Sequence, residues 1–146
     1  MTGSRGTGRI VVGVDGSDAS IAALRRGSQL ALALEMPLDA VTAWEYPVFF
    51  SPFDTSELPI HVEASRALDD AVDRAFQGHP SVRVTKTLLE GQPARALIEH
   101  SRDAYLLVLG NRGLGGFARL LLGSVSSACV SHARCPVLIM RTPEDD

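Results

Sequence analysis

Apolar positions along the chain fall into runs of two alternating kinds. From Arg9 to Asp15 (RIVVGVD) nearly every residue is apolar before the chain reaches Asp-Gly-Ser, the pattern of a strand buried on both faces and then a turn. Ser17 or Asp18 can cap the helix that follows. Between Ala19 and Glu35, Ile21, Leu24, Ala31 and Leu34 form a helical stripe interrupted by Ser28, and Pro37 prevents its continuation. Leu38 to Trp44 (LDAVTAW) reads as a second strand. Ile60 to Gln77 resumes helical spacing through Val62, Leu68, Ala71, Val72 and Ala75, and Gly78-His79-Pro80 stops it. Val82 to Leu89 is a third strand. Gly91-Gln92-Pro93 opens a third helix, which carries Ala94, Leu97 and Ile98 and ends near Arg102. Tyr105 to Leu109 (YLLVL) is the most hydrophobic strand and runs into Gly110. Ser124 to Ala133 predicts a fourth helix and Pro136 to Met140 a fifth strand.

Strands alternating with helices predict an α/β fold: an open, parallel, five-stranded, Rossmann-like sheet with right-handed crossovers and helices on both faces. Ligands of such sheets sit beyond the carboxyl ends of the strands, where strand order reverses. The segment from Glu45 to Pro59, with Pro47, Pro52, Pro59 and the run YPVFF, is longer than an ordinary connection and reads as a flap or contact surface.

A length of 146 residues accommodates one globular domain, and 45% hydrophobic with 21% charged residues is the balance of a packed chain. The formal charge of -3 provides no cationic field for nucleic acid or an anionic membrane. No run approaches the roughly 18 uncharged apolar residues of a membrane span. The N-terminal MTGSRGTGR lacks a signal peptide's apolar stretch, so the expected location is the cytoplasm. Cys129 and Cys135 fit neither a CxxC redox pair nor a zinc ribbon and are expected to be buried thiols.

Two strand ends carry unusual chemistry: Gly13-Val14-Asp15-Gly16-Ser17, and Gly110-Asn111-Arg112-Gly113. The second continues as LGNRGLGGFARLLLGSVSS, in which Gly110, Gly113 and Gly123-Ser124 have the spacing G-x2-G-x9-G-S. Glycine lets backbone approach a ligand, and consecutive exposed N–H groups form an anion-binding concavity. Gly123 to Ser126 lie where the fourth helix begins, so unpaired N–H groups and the positive dipole end favour phosphate, with the hydroxyls of Ser124, Ser126 and Ser127 as further donors. The residues between Gly113 and Gly123 span at most about 30 Å, enough to wrap a triphosphate. Simple turn-making is the competing account of these glycines, and it suits any one of them better than it suits the spaced set.

Other phosphate loops fit poorly. A Walker loop needs GxxxxGK, and the only lysine, Lys86, lies inside a predicted strand. Gly113, Gly115 and Ala118 match GxGxxA but follow the fourth strand, with no acidic residue about 20 positions on. An AMP-forming PP-loop ATPase would carry an SGGxDS-type loop after strand one, which GVDGSDAS does not supply.

GVDGS, GNRG and GSVSSACVSHARCPVLIMR together resemble the universal stress protein family, specifically its ATP-binding branch, over Arg9 to Arg141. The resemblance implies strand order 3-2-1-4-5 and a switch point between strands one and four. It implies that Gly13, Val14 and Asp15 line the adenosine end, with Ala43 flanking the adenine. Leu109 and Gly110 would sit against the ribose and α-phosphate, and Gly113, Gly123, Ser124, Val125 and Ser126 would hold the remaining phosphates. Ser126 stands where threonine is frequent. The implied cofactors are ATP (or ADP or AMP) and Mg2+. Asp15 would contact ribose, adenine or Mg2+, with turn formation as the bland alternative. Arg112 and Arg119 either neutralise phosphate charge or are merely solvated.

No residue presents itself as a catalytic base. His132 lies about 12 Å along the fourth helix from its phosphate end, and His61, His79 and His100 are expected at the surface. The expectation is a nucleotide-dependent stress-response or signalling module, with very slow ATP hydrolysis at most. A family member acting through partners without nucleotide is the alternative. The fifth strand is an apolar edge in the implied order, so a homodimer through Val137, Leu138 and Ile139 is expected.

Overall fold

The structure is a computed structural model and describes residues 8–46, 59–112 and 122–141. Its elements are β1 (Ile10–Gly13), α1 (Asp18–Leu34), β2 (Leu38–Trp44), α2 (Ile60–Phe76), β3 (Val84–Glu90), α3 (Pro93–His100), β4 (Leu106–Gly110), α4 (Ser124–His132) and β5 (Val137–Met140). Each expected element forms, with ends displaced by at most a few residues. The sheet order is β3-β2-β1-β4-β5 and every pairing is parallel, as the resemblance implied.

The helix ends follow from local chemistry. Ser17 is the α1 N-cap, its side chain accepting the Ser20 N–H, and Glu35 closes the helix in the left-handed region two residues before Pro37. Gln92 caps α3 by accepting the Arg95 N–H, with Pro93 in the first turn where its missing N–H costs least.

Two apolar layers sandwich the sheet. Val12, Leu24, Leu38 and Leu68 belong to the layer under α1 and α2, while Val11, Val41, Leu97, Leu107 and Cys129 belong to the one under α3 and α4. Ser28, which interrupts the α1 stripe, is itself buried, whereas Leu34 and Val62, read as stripe members, are 39% and 43% exposed. Both lie in a terminal turn of their helices, where the sheet no longer backs them. Cys129 is buried as expected; Cys135, on the segment entering β5, is only half-buried. Most of the flap segment, 47–58, lies outside the described residues. Among those described, no helix is long and apolar enough to cross a membrane.

Candidate functional site

The order β2-β1-β4 puts the switch point between β1 and β4. The chain leaves β1 for α1 on one face of the sheet, and leaves β4 for α4 on the other, so a crevice opens beyond the two carboxyl ends. Gly13, Val14 and Asp15 stand at the end of β1, and Leu109, Gly110 and Arg112 at the end of β4. Gly123, Ser124, Val125 and Ser126 stand at the start of α4, and Ala43 is the next-to-last residue of β2. Gly113, Gly115, Ala118 and Arg119 lie outside the described residues.

The start of α4 is fastened to the end of β4 by two bonds on consecutive carbonyls. The Gly123 N–H donates to the Asn111 carbonyl at 2.7 Å, and the Ser126 hydroxyl donates to the Gly110 carbonyl at 2.5 Å. Asn111 also donates its own N–H to the Met140 carbonyl at 2.8 Å, tying the same point to β5. Gly123 is the N-cap and has no side chain with which to cap the first-turn donors, so the N–H groups of Ser124, Val125 and Ser126 point past the helix end. Ser124 is exposed and Ser126 buried. The Ser126 hydroxyl, expected as a phosphate donor, instead directs its proton to the Gly110 carbonyl. Its backbone N–H is the group that faces outward with its neighbours.

Gly110 has a packing reason for lacking a side chain. A Cβ there would lie 2.5 Å from the Cβ of Ala19 and 2.7 Å from its carbonyl carbon, because the first turn of α1 presses onto the end of β4. For this one glycine the structural account suffices.

At the other lip, Asp15 is exposed, and its Oδ1 accepts the Ser17 N–H at 2.9 Å. Gly16 follows at φ +87°, a conformation that suits glycine. The Asp15 N–H reaches the buried Ser20 hydroxyl at 3.4 Å, and that hydroxyl donates to the Ser17 carbonyl at 2.9 Å. Asp15 therefore takes part in the turn, the alternative to the ligand contact expected of it.

The fork between β1 and β2 has a feature that sequence reading missed. The Val14 N–H donates to the Val41 carbonyl at 2.8 Å, the last backbone rung of that pair. Leu38 and Trp44 bond toward β3, through Arg83 and Gly91, so Val41 and Ala43 are the residues whose backbone groups face β1. The next rung would run from the Ala43 N–H to the Val14 carbonyl. Among the described residues no such backbone bond exists; the Thr42 hydroxyl donates to the Val14 carbonyl instead, at 2.9 Å. The backbone N–H and C=O of half-buried Ala43 are thereby turned toward the opening. The sequence does not mark where the strand pair parts, so no local signal singles out Thr42.

A second polar cluster lies toward the opposite end of the sheet. Asp39, 7% exposed, accepts from the Thr87 hydroxyl at 2.7 Å, contacts His100 Nε2 at 2.7 Å and has Arg9 Nε at 3.6 Å. His100, expected at the surface, is half-buried because Asp39 draws it against the sheet. His61, His79 and His132 are exposed, as expected. Arg9 also reaches Asp103 at 2.9 Å and holds that carboxyl below its ordinary range.

The sequence matches the family model of the Universal stress protein family over residues 6–141. It is 35% identical over 138 residues to Universal stress protein Rv2623 of Mycobacterium tuberculosis, an alignment that takes in 90% of this chain and 44% of that protein. The chain thus spans about half the length of the curated relatives it matches. Among solved structures, UspA from Lactobacillus plantarum superposes with a TM-score of 0.80 at 24% identity over 92% of this chain and 97% of the other, a likeness of fold. A universal stress protein solved in complex with cAMP is 31% identical with a TM-score of 0.66, again over 92% and 97% of the two chains. A family match that runs from before β1 to the end of β5, on a sheet ordered 3-2-1-4-5, leaves one assignment: the chain belongs to the universal stress protein family.

Proposed function

We infer that this chain binds an adenine nucleotide in the crevice between β1 and β4, and acts as a nucleotide-dependent stress-response or signalling module. The observation that carries this reading is the start of α4. Three first-turn N–H groups, of Ser124, Val125 and Ser126, follow a glycine N-cap that supplies no competing side chain. Such a helix start attracts an anion through unpaired donors and the positive end of its dipole. The cAMP complex of a 31% identical relative supports the same class of ligand.

The residues fit a nucleotide laid from β2 to α4. The N–H and C=O of Ala43 form a donor and acceptor pair suited to the edge of an adenine. Gly13, Val14 and Asp15 would border the adenosine, and Leu109 and Gly110 the ribose and first phosphate. Gly113, Gly123, Ser124, Val125 and the backbone of Ser126 would take further phosphates, with Arg112 beside them. ATP, ADP and AMP all satisfy this chemistry. Among the described residues no group of three or more His, Cys, Asp or Glu side chains could hold a metal ion. Mg2+ would arrive on the phosphates of ATP, with Asp15, at the end of β1, as the carboxylate assigned to it. When bound, that ion would offset phosphate charge.

Turnover is read as very slow at most, since neither Asp15, engaged in its turn, nor the exposed His132 at the far end of α4 is set up as a base. A homodimer would form by antiparallel pairing of the β5 edges, where Val137, Leu138 and Ile139 are each half-buried in the single chain. Sedimentation giving a monomer at micromolar concentration would rule this pairing out.

Isothermal titration with AMP, ADP and Mg-ATP tests the main reading. Saturable binding that Gly123→Val abolishes in a folded protein is expected. Absence of any heat of binding would favour the alternative, a family member that works through protein partners without nucleotide.

A further inference from the structure

We propose that Thr42 determines base recognition in this site by holding the β1–β2 fork open. The inference rests on the nucleotide-binding reading above and adds a residue to it. A parallel strand pair propagates as long as each carbonyl meets the next N–H. Beyond the rung between Val14 and Val41 the next donor in line is the Ala43 N–H, and its acceptor would be the Val14 carbonyl. That carbonyl belongs to a residue only 6% exposed and needs a donor. The Thr42 hydroxyl supplies one from a side chain, at 2.9 Å. Its effect is to satisfy Val14 without the backbone of Ala43.

The consequence is a donor and acceptor on one residue without a backbone partner among the described residues of β1, suited to the Watson–Crick edge of adenine. The Ala43 N–H can meet the ring acceptor N1 and the Ala43 carbonyl the exocyclic amine. Guanine presents a carbonyl and an N–H in those places, so the same pair opposes it. A site that hydrogen-bonds its ligand discriminates strongly against one that leaves its buried groups unpaired. Thr42 would thus act through Ala43 without touching the base: it is a positioning residue. Valine at position 42 keeps the shape and removes the proton donor, leaving the Val14 carbonyl to recruit the Ala43 N–H and close the fork by one rung.

The test compares wild type, Thr42→Val and Thr42→Ser, each first shown to be folded by its melting transition. Two quantities are read: affinities for AMP, GMP and inorganic tripolyphosphate, and the hydrogen-exchange rate of the Ala43 amide in nucleotide-free protein. Thr42→Val should lower AMP affinity about tenfold, the value of one well-placed hydrogen bond, and reduce the preference for AMP over GMP. Tripolyphosphate binding should be unchanged, Ala43 exchange should slow, and Thr42→Ser should restore the wild-type pattern. A folded Thr42→Val protein with an unaltered AMP-to-GMP ratio overturns the proposal. If wild type binds no nucleotide, the binding reading fails on its own. Ala43 exchange then still decides whether Thr42 opens the fork, and equal rates in wild type and Thr42→Val mean that it does not.

Discussion

The hydroxyl of Ser126 donates to the carbonyl of Gly110 across 2.5 Å, bonding the third residue of α4 to the last residue of β4. The contact fixes the direction in which the helix presents its first-turn amides. Ser126→Ala removes the donor and leaves a partly enclosed carbonyl, so the folded state should lose about 1 kcal/mol. Ser126→Thr keeps the hydroxyl and should lose less. Urea denaturation of the three proteins checks both, and an alanine variant as stable as wild type would show the bond to be worth nothing net.

Gly110 and Gly13 respond differently to an added methyl group. At Gly110 the methyl meets the Ala19 carbonyl carbon at 2.7 Å, main chain that cannot move without displacing α1. At Gly13 its nearest contact is the tip of the Leu109 side chain at 2.6 Å, which can change rotamer. Gly110→Ala should cost about 1–3 kcal/mol and Gly13→Ala distinctly less. Adding Ala19→Gly should restore only part of the Gly110→Ala loss, because the backbone contact remains. Equal midpoints for the two single variants would contradict this ranking.

Element type was legible because parallel strands buried on both faces and amphipathic helices leave separate periodicities, and Val11-Val12 and Leu107-Val108 have nowhere to be but inside; the strand order was legible only through the resemblance to the universal stress protein family. The glycine and serine spacing marked two segments, the end of β4 and the start of α4, that the fold brings into hydrogen-bond contact. Pattern reading failed where a polar side chain found a partner far away in sequence. Nothing in LDAVTAW points to the partners of Asp39, since Thr87 and His100 lie 48 and 61 residues away, and His100 is half-buried rather than at the surface for the same reason. Likewise nothing local distinguishes a serine whose proton faces a ligand from Ser126, whose proton faces Gly110. Thr42 is legible only once the parting of β1 from β2 is known.

Asp39 is the charge on which the far end of the molecule depends. Its carboxylate joins β2 to β3 through Thr87, to α3 through His100 and to the segment before β1 through Arg9. Asp39→Ala leaves the Thr87 and His100 donors without an acceptor, while Arg9 keeps Asp103 and the His100 carbonyl, so the loss should be about 3 kcal/mol, that of two bonds to a buried carboxylate. Thr87→Val removes one charge-assisted bond and leaves the carboxylate its other partners, so it should cost less, about 1.5 kcal/mol. Thermal or urea unfolding separates the two, and a small loss for Asp39→Ala would mean that Thr87 and His100 find replacement partners.

Cys129 ties stability to alkaline pH. Burial pushes its thiol up from the ordinary value of 9.0 to about 11, with nearby Cys135 adding to the effect. The unfolded chain therefore gives up this proton at a lower pH than the folded one does. Below about 9 both states hold it and the group adds no pH dependence. Between 9 and 11 the unfolded state is progressively favoured, at up to about 1.4 kcal/mol per pH unit for a single proton. Stability should fall across that window, and Cys129→Ala should flatten the fall relative to wild type, whatever it does to stability at neutral pH. Alkylation supplies an independent check, since the thiolate is the reactive form. Half-buried Cys135 should be modified in the native protein, and fully buried Cys129 only at the rate of unfolding. Rapid labelling of Cys129 at pH 8 without unfolding would show that the layer under α4 admits reagent and that the shift has another origin.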